Sequence, residues 1–309
     1  MLDPFHSGEL EVQERTGERG RAVLNGRLIA SAIPEGARKF LAQQSYCVVG
    51  WASPNGEIWA SLLTARAGFA STDAEGATLA LDFSPASGAA HAIPPLSGPP
   101  LSGMREGDHL GLLFIELATR RRLRVNGRVT ELASSGLRLS VSEAFPNCPK
   151  YIQRREAVPS VSVEGEIEPV HGERLSDELT AWIAEADTVF VTSAHPEGPV
   201  DSSHRGGNPG FIKLEGEVLR IPDYPGNSMF GTLGNFAVNP RAGLVFVDFR
   251  NNRQLQLAGD VQLDLEAGDS SGETGGTGRW WTFSPRRWIV SSLSPSFTWQ
   301  LIDGSPFNP

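Results

Sequence analysis

The chain repeats itself, and that repeat limits its possible folds more than any other feature of the sequence. Phe40–Phe69 aligns without a gap with Trp182–Phe211, 142 residues later, and prolines, glycines and apolar strand positions coincide along both segments. A second stretch, GLLFIEL (Gly111–Leu117), aligns with GLVFVDF (Gly243–Phe249) at an offset of 132 residues. Self-similarity of this kind predicts two copies of one small domain.

The order of elements is the same in both copies. RLRVNGRV, from Arg122, aligns with QLQLAGDV, from Gln254, at the offset of 132 residues. Each copy begins with a helix, for which Ser176 is the expected N-cap in the second copy, and continues with strands separated by turns. The alternation of Gln and Leu from Gln254 to Leu257 predicts a half-buried strand. Several short antiparallel strands with few helices predict a mainly β fold with α elements, forming a small β-barrel in each copy.

The two offsets also locate an insertion and the domain borders. The fall from 142 to 132 residues implies about ten extra residues in the first copy, and the Pro-, Gly- and Ala-rich stretch Ser84–Gly103 is their expected place because such a composition forms loops. We expect an N-terminal extension at residues 1–33, a first copy at 34–158 and a second copy at 174–303. The border should lie between about Arg155 and Arg174, where helix signals are few.

Charge and cysteine content exclude several classes of function. The chain has 36 acidic and 27 basic residues, a formal net charge of -9, which disfavours nucleic acid and anionic membranes as partners. The two cysteines, Cys47 and Cys148, lack metal-site spacing, so we expect no metal centre, and Cys47 lies in an apolar run typical of a core. The start of the chain lacks the features of a signal peptide, and we expect a cytoplasmic protein.

The segment SSHRGGNPGF (Ser202–Phe211) is the most unusual in composition. Adjacent glycines allow backbone N–H groups to approach an anion, and Arg205 supplies a charged fork. The first copy has SLLTARAGF at the same place and lacks both the His and the central glycines, so the second copy is the expected ligand-binding one. The alternative is a glycine-rich turn with a surface Arg. Ser203 and His204 are neighbours on a strand and point to opposite faces, so they do not form a catalytic pair.

A second cluster covers Asp223–Pro240. An apolar helical face from Met229 to Ala237 ends before Asn239-Pro240, and Asn227 and Ser228 precede it. A helix N-terminus with such a cap can bind a phosphate group through its free N–H groups. The alternative interpretation of this segment is an ordinary capped helix. Neither a P-loop nor a Rossmann glycine motif occurs.

These residues resemble the pyridoxamine 5′-phosphate oxidase-like family of FMN-binding split barrels. Three pieces carry the resemblance in the family's order and spacing: SSHRGGNPGF, PGNSMFGTLGNFAVNPRAGLVFVDF and RQLQLAGDV. The match is clear over roughly Leu175–Asp264. It is weaker in the first copy, where Gly111–Val129 and the NCPKYIQRR tail (Asn147–Arg155) are similar to the same group.

The resemblance implies tandem split β-barrels packed as an intramolecular pseudo-dimer, with FMN held between them. It implies that Ser203 faces the phosphate or ribityl chain, and that His204, Arg205 and Gly206 follow the isoalloxazine edge. Asn227, Ser228 and Thr232 match the family's phosphate-binding turn and helix, and Arg253 and Gln254 match its strand Arg-Gln pair near the flavin. The full expected cofactor-binding set is Ser203, His204, Arg205, Gly206, Gly207, Asn227, Ser228, Thr232, Arg253, Gln254 and Lys150.

The chain departs from the family where the phosphate binds. True oxidases place Arg on the strand and Lys on the helix, whereas Ser203 and Thr232 stand at those positions here. The phosphate would then rely on Arg205, hydroxyls, backbone N–H groups and Lys150. The basic residues that recognise pyridoxal phosphate are also missing, so oxidation of vitamin B6 is not the expected reaction. The deazaflavin F420 is the rival cofactor, but its acidic tail needs a basic groove that the sequence does not indicate.

Two functions remain open at this point. The first is an FMN-dependent oxidase or reductase that acts on a small molecule, with NADH or NADPH or oxygen as redox partner and His204 as the candidate for proton delivery. The second is a flavin-binding or flavin-storage module without turnover. The chain is expected to be a monomer with an internal pseudo-dimer or a homodimer.

Overall fold

The computed structural model describes residues 3–84, 96, 98–159, 168–293 and 297–309. Most of the expected insertion and residues 160–167 of the expected border segment therefore lie outside the described residues. The described part contains α-helices α1 (Ser7–Arg15), α2 (Arg19–Gly26), α3 (Glu35–Ala42), α4 (Asp177–Glu185) and α5 (Gly231–Val238). None of these helices is long and apolar enough to cross a membrane.

The first sheet contains seven strands in the order β2-β1-β5-β6-β7-β4-β3. Its strands are β1 (Tyr46–Ala52), β2 (Ile58–Thr64), β3 (Ala70–Thr72), β4 (Thr78–Asp82), β5 (His109–Glu116), β6 (Arg121–Ala133) and β7 (Gly136–Pro146). The hydrogen-bonded path is open, since the described residues of the end strands β2 and β3 do not pair with each other.

The second sheet repeats this order as β11-β10-β14-β15-β16-β13-β12. Its strands are β10 (Thr188–Ala194), β11 (Val200–Gly206), β12 (Lys213–Glu215), β13 (Val218–Pro222), β14 (Arg241–Asp248), β15 (Arg253–Asp264) and β16 (Trp280–Ser292), and β9 (Val170–Gly172) pairs with β16. The register repeats as well, because Cys47 pairs with Leu63 and Val189 pairs with Arg205. The two copies expected from the sequence are confirmed as two sheets of one topology.

Each copy encloses its own apolar core. All seven strands of the first sheet contribute to a cluster that includes Leu112, Val125 and Leu139, and Phe40 and Leu41 of α3 pack on it. The second copy has an equivalent cluster, to which α4 and α5 contribute Leu179, Ile183 and Phe236. The α4 helix begins as expected, since the Ser176 Oγ accepts a hydrogen bond from the Leu179 N–H at 3.3 Å.

A third apolar cluster joins the two copies. It combines Val48, Leu62 and Leu113 of the first copy with Phe190 and Val245 of the second. Successive strand residues point to opposite faces, so β1 buries Cys47 in its own core and Val48 in the shared cluster. Strands buried on both faces explain why this run is continuously apolar.

The copies are related by a pseudo-twofold contact through two equivalent glycines. A Cβ on Gly111 would lie 2.7 Å from the Val200 carbonyl oxygen of β11, and a Cβ on Gly243 would lie 2.7 Å from the Ile58 carbonyl oxygen of β2. Gly111 and Gly243 align in the repeat, as do Ile58 and Val200. The interface is therefore isologous, and the chain forms the expected intramolecular pseudo-dimer.

The alternating strand of the second copy is buried on both faces rather than half-buried. Gln254 and Gln256 are 6% and 1% exposed. The Gln254 Oε1 accepts from the Leu62 N–H at 2.9 Å, and the Gln256 Nε2 donates to the Ala60 carbonyl at 3.1 Å and to the Ser61 Oγ at 2.6 Å. The polar face that the pattern assigned to solvent is covered by the first copy.

Two further contacts tie the chain together. The tails of the copies pair with each other as β8 (Arg154–Pro159) and β17 (Phe297–Asp303). In the N-terminal extension, α1 crosses α5 so closely that a Cβ on Gly234 would lie 2.6 Å from the Glu9 Cα. The extension is thus packed against the second copy.

We expect Gly243→Ala to destabilise the protein by about 1–3 kcal/mol, because the added methyl would overlap the backbone of Ile58 and Trp59 at the junction of the copies. Urea unfolding would measure the loss. The matched control is Gly36→Ala on α3, where no atom lies within 4 Å of the added Cβ and where the change should be neutral or mildly stabilising. Equal stability of Gly243→Ala and the native protein would contradict this account of the interface.

Candidate functional site

A cleft lies where β11 and α5 of the second copy meet β6 and the segment after β7 of the first copy. Its volume is about 90 Å³. Five cationic side chains and two acidic ones line it, which are Arg122, Arg124, Lys150, Arg205 and Arg279, and Glu18 and Asp223. Although the net charge of the chain is -9, basic side chains outnumber acidic ones in this cleft. Such an excess is typical of a site for an anionic group.

Three guanidinium groups form the centre of this cleft. Arg124 pairs with Asp201 at 3.0 Å, and Arg205 lies 3.9 Å from a carboxylate oxygen of Asp223. The Arg122 Nε donates to the Cys148 carbonyl at 2.8 Å, and no carboxylate in the described part of the chain forms an ion pair with Arg122. Burial and the positive charges of Arg124 and Arg205 lower the pKa of Arg122 to about 9, so it remains charged at neutral pH.

Several polar atoms around the cleft are buried and have no hydrogen-bond partner among the described residues. They are the Arg124 Nε, the Arg205 Nε, both ring nitrogens of His204, and both amide atoms of Asn147. Buried polar groups in native proteins are nearly always paired, so a set of unpaired ones beside a cleft indicates a missing partner. A phosphate or a polar ring edge offers acceptors that suit these groups.

His204 is a neutral imidazole in this setting. Burial, together with the nearby Arg122, Arg205 and Arg155, lowers the pKa of His204 well below its usual range. Its ring packs edge-on against Phe190, with centroids 5.6 Å apart. A neutral ring donates one hydrogen bond and accepts another, so His204 can orient a ligand but does not carry a positive charge into the cleft.

The turn and helix start that the sequence predicts as a phosphate-binding site at α5 differ from that prediction in their geometry. The helix begins at Gly231 rather than at Met229, and no side chain caps it. The Asn227 Oδ1 accepts from the Met229 N–H at 3.1 Å, and Ser228 has a left-handed φ of 62°. This tight turn before the helix leaves the first N–H groups of α5 at the cleft.

The resemblance aligns Ser203 and Thr232 with an Arg and a Lys of the family. In this structure their two hydroxyl groups form a hydrogen bond with each other. Their hydroxyl oxygens are 3.0 Å apart, and both residues are buried. The carboxylates of Glu9 and Asp201 each approach to 3.6 Å of the position of a Cβ on Gly231. The Ser203 and Thr232 hydroxyls are therefore engaged with each other, although Thr232 lines the cleft, and an Arg124 guanidinium nitrogen lies at 3.5 Å from the same Cβ position beside the two carboxylates.

The adjacent glycines do not form the open anion cradle expected from the sequence. A Cβ on Gly206 would overlap the Tyr151 carbonyl oxygen, and one on Gly207 would lie 2.6 Å from the Phe211 ring. The Gly207 N–H already donates to the Asp187 carbonyl at 3.1 Å. A side chain at Gly206 or Gly207 would therefore meet the first copy's backbone or the Phe211 ring, while Gly206 itself still lines the cleft.

Two tyrosines, one from each copy, form part of the cleft wall. The rings of Tyr151 and Tyr224 have centroids 4.8 Å apart, and the Tyr151 hydroxyl donates to the Pro225 carbonyl at 3.1 Å. Lys150, which the sequence assigned to the site from the other copy, lines the cleft and lies over the Phe307 ring at 5.5 Å. The first copy therefore supplies part of the cleft, including its Lys150 and Tyr151.

The N-terminal extension inserts a carboxylate into the cleft. The Ser228 Oγ donates to Glu18, and the Arg279 Nη1 donates to the Glu18 Oε1 at 2.6 Å. Arg279 also bonds Asp223 at 2.9 Å through its Nε. Glu18 thus contacts the same Ser228 that the sequence assigned to a phosphate.

Arg253 and Gln254 do not lie in this cleft. Gln254 bonds the Leu62 backbone of the first copy, and Arg253 faces Asp248 at 3.1 Å and the Trp182 ring at 5.3 Å. The reason is the pseudo-twofold axis, which carries β15 over β2 of the first copy and β6 over β11 of the second. None of the tryptophans lines this cleft either.

The equivalent place in the first copy is closed. Leu62 and Leu63 stand there in place of His204 and Arg205, and the covering residues are Gln254 and Gln256 in place of Arg122 and Arg124. Both glutamines bond β2 directly. Of the two equivalent junctions between the copies, only the one with Arg122 and Arg124 contains an open cleft in the described part of the pseudo-dimer.

Residues 175–274 match the model of the pyridoxamine 5′-phosphate oxidase family. The resemblance inferred from the sequence is confirmed over this range. None of the curated proteins compared with the chain matches it.

Solved structures match about one copy of the chain each. A FAD-binding protein from Mesorhizobium loti is 9% identical and covers 41% of this chain and 99% of its own, with a TM-score of 0.30. A protein related to general stress protein 26, of the pyridoxinephosphate oxidase family, from Clostridium acetobutylicum is 14% identical and covers 40% and 92%, with a TM-score of 0.30. An F420 reductase is 16% identical and covers 35% and 93%, with a TM-score of 0.26.

Sequence reasoning missed most of the first copy's contribution. Arg122 and Arg124 were visible in the repeat, because they replace Gln254 and Gln256 at positions that are otherwise alike. Glu18 had no sequence signal, since a lone carboxylate in a polar segment does not reveal its partner.

We expect Glu18→Gln to strengthen the binding of inorganic phosphate by about 1 kcal/mol, because it removes a carboxylate that bonds Ser228 and Arg279. Calorimetric titration of both proteins with phosphate would measure the difference. Glu14→Gln, on the exposed side of α1, is the control and should leave the affinity unchanged. Weaker binding by Glu18→Gln would mean that Glu18 supports the anion site rather than competing for it.

Proposed function

We propose that the chain binds FMN in the cleft between its two copies and uses it in an oxidoreductase reaction on a small organic molecule. The observation that carries the proposal is the contrast between equivalent positions. Gln254 and Gln256 close one junction, whereas at the other Arg122 forms no ion pair among the described residues and the Nε atoms of Arg124 and Arg205 have no hydrogen-bond partner there. The family match of residues 175–274 and the resemblance that it confirms support a flavin as the ligand.

The residues present suit the anionic part of this cofactor. Arg122 and Arg205 would hold the phosphate, because Arg122 forms no ion pair among the described residues and Arg205 has only the 3.9 Å contact with Asp223, and His204 and Asn147 would bond the polar edge of the ligand. A bound flavin would supply electron transfer, and the protein would supply orientation and exclusion of water. The oxidase positions Ser203 and Thr232 bond each other, so this proposal rests on the neighbouring guanidinium groups instead.

Room for the ring system requires a change in the walls. A cleft of about 90 Å³ suits a phosphate, whereas ligand pockets are commonly about 300–1,000 Å³. The walls around the cationic groups include the Tyr151–Tyr224 pair and the N-terminal extension around Glu18. A site covered in this way also favours the second candidate, a flavin-binding or flavin-storage module without turnover. F420 remains the weaker cofactor proposal, because the cationic groups are confined to one small cleft.

Because the internal pseudo-dimer already brings two copies together, we propose that one chain suffices for the site. A further homodimer would add no residue that the cleft needs. The same internal pairing makes the division at residues 34–158 and 174–303 a reasonable proposal for the two domains.

We expect Arg205→Ala to weaken FMN binding by about 1.5–3 kcal/mol, the value of a charge-assisted hydrogen bond. Arg122→Gln, which copies the residue of the closed junction, should weaken it as well. Flavin fluorescence titration measures both, with Arg250→Ala at the exposed turn after β14 as the control. A colourless preparation that fails to take up added FMN would refute the cofactor proposal.

Stopped-flow mixing distinguishes the two candidate functions. An oxidoreductase with a nicotinamide partner should lose flavin absorbance on mixing with NADH or NADPH, and an oxidase should reoxidise in air faster than free FMN. If neither nicotinamide bleaches the bound flavin, and the photoreduced flavin reoxidises no faster than free FMN, the storage module is the better account.

A further inference from the structure

A second cavity lies on the other side of Arg124 from the cleft. Its volume is about 220 Å³, and it shares Arg124 and Gly231 with the cleft. The N-terminal extension, the first copy and the second copy all contribute to its walls. No part of the proposed flavin function depends on it.

The walls combine carboxylates with neutral polar groups. Glu9, Glu143, Glu197 and Asp201 line the cavity, and Arg124 is the one basic side chain that does so apart from histidines. The rings of His6 and His195 lie 4.7 Å apart at the same wall. Burial lowers the pKa of His6 to about 4, so this ring is uncharged at neutral pH. The titratable groups that face the cavity are thus mostly acidic.

Two acceptor atoms in the walls are unsatisfied. The Asp201 Oδ1 and the Asn126 Oδ1 are buried without a hydrogen-bond partner in the described part of the chain, and both residues are 7% exposed. Their other atoms are engaged, since Asp201 bonds Arg124 at 3.0 Å, and the Asn126 side chain interacts with Asp201 as well as with Glu143, to which its Nδ2 donates at 3.1 Å. Unsatisfied buried acceptors beside acidic side chains need a donor, and a cationic donor suits them best.

The remaining wall is apolar. Ile29, Phe145 and Met229 line it. No cluster of His, Cys, Asp and Glu among the described residues is arranged to hold a metal ion. The occupant that fits both walls is organic, with a charged head and a hydrophobic body.

We propose that this cavity binds a small organic cation that carries an ammonium group on a short apolar body. The ammonium group would donate to Asp201 and Asn126 and offset the charge of Glu143 and Glu9, while the body packs on Phe145 and Met229.

Proton linkage gives the proposal a pH signature. Burial raises the pKa of Glu9 to about 8 and also raises the pKa values of Glu143 and Asp201, so protons compensate for the missing cation. A bound ammonium group would favour the ionised carboxylates and displace a proton. Affinity should therefore rise with pH from about 6 to 8, by at most about tenfold per unit for each proton released. His6, His195, Glu197 and Arg124 also face the cavity, and His6 does not charge in this range.

The test uses benzylamine and its uncharged analogue benzyl alcohol as probes of the full-length protein. Calorimetric titration at pH 8 should detect benzylamine binding and no comparable binding of benzyl alcohol. Titration in two buffers of different ionisation enthalpy should reveal proton release. Glu143→Gln and Glu9→Gln should each weaken benzylamine binding at least about fivefold, the effect of losing one partly buried charge pair.

Glu131→Gln, at the exposed end of β6, is the matched control and should bind like the native protein. Circular dichroism establishes that each variant is folded, and two independent variants keep the result interpretable if one is not. Equal binding of benzyl alcohol, unchanged affinity in both folded variants, or no binding of benzylamine would overturn the proposal.

Discussion

The crossing of two glycine-bearing strands over the opposite copy brings together the residues that line the cleft. Gly111 and Gly243 have no side chain to hold the sheets apart, so β5 meets β11 and β14 meets β2 at backbone distance. This contact fixes the pseudo-twofold relation and carries β6 over β11 and β15 over β2. The cleft therefore consists of β11 from one copy and β6 from the other, and neither copy contains it alone.

The two junctions between the copies differ at two equivalent positions. Glutamines occupy them at the closed junction, and arginines occupy them at the junction that contains the cleft. Glutamine has both a donor and an acceptor, so Gln254 and Gln256 can complete hydrogen bonds with an exposed strand and close the junction. Arginine has only donors and a fixed charge, and a buried guanidinium without an anion is unfavourable. At the equivalent junction Asp201 pairs with Arg124, Arg122 forms no ion pair among the described residues, and Glu18 of the N-terminal extension pairs with the neighbouring Arg279.

The sequence could predict what depends on local pattern. The repeat, the order of elements shared by the two copies, the α4 cap at Ser176 and the family resemblance follow from residue spacing and turn chemistry, and the structure and the comparisons confirm them. It could not predict which copy covers which strand. Arg253 and Gln254 were therefore assigned to the cleft although β15 faces the other copy, and the alternation from Gln254 indicated solvent where there is a buried interface. At Gly206 and Gly207 the sequence could not show what approaches the backbone, because a glycine looks the same whether a ligand or the chain itself lies against it.

The charged side chain of Arg124 lines both the cleft and the second cavity. Its guanidinium group lines the cationic cleft on one side and pairs with Asp201 of the acidic cavity on the other, at 3.0 Å. An anion in the cleft would compete with Asp201 for this guanidinium group and would leave the carboxylate more negative towards a cation in the second cavity. A cation beside Asp201 would in turn release Arg124 towards the anion. Because the coupling between two binding sites is reciprocal, each of the two proposed ligands would strengthen the binding of the other by the same factor. Two cavities that share a single charged side chain are thus expected to fill together, although neither ligand touches the other.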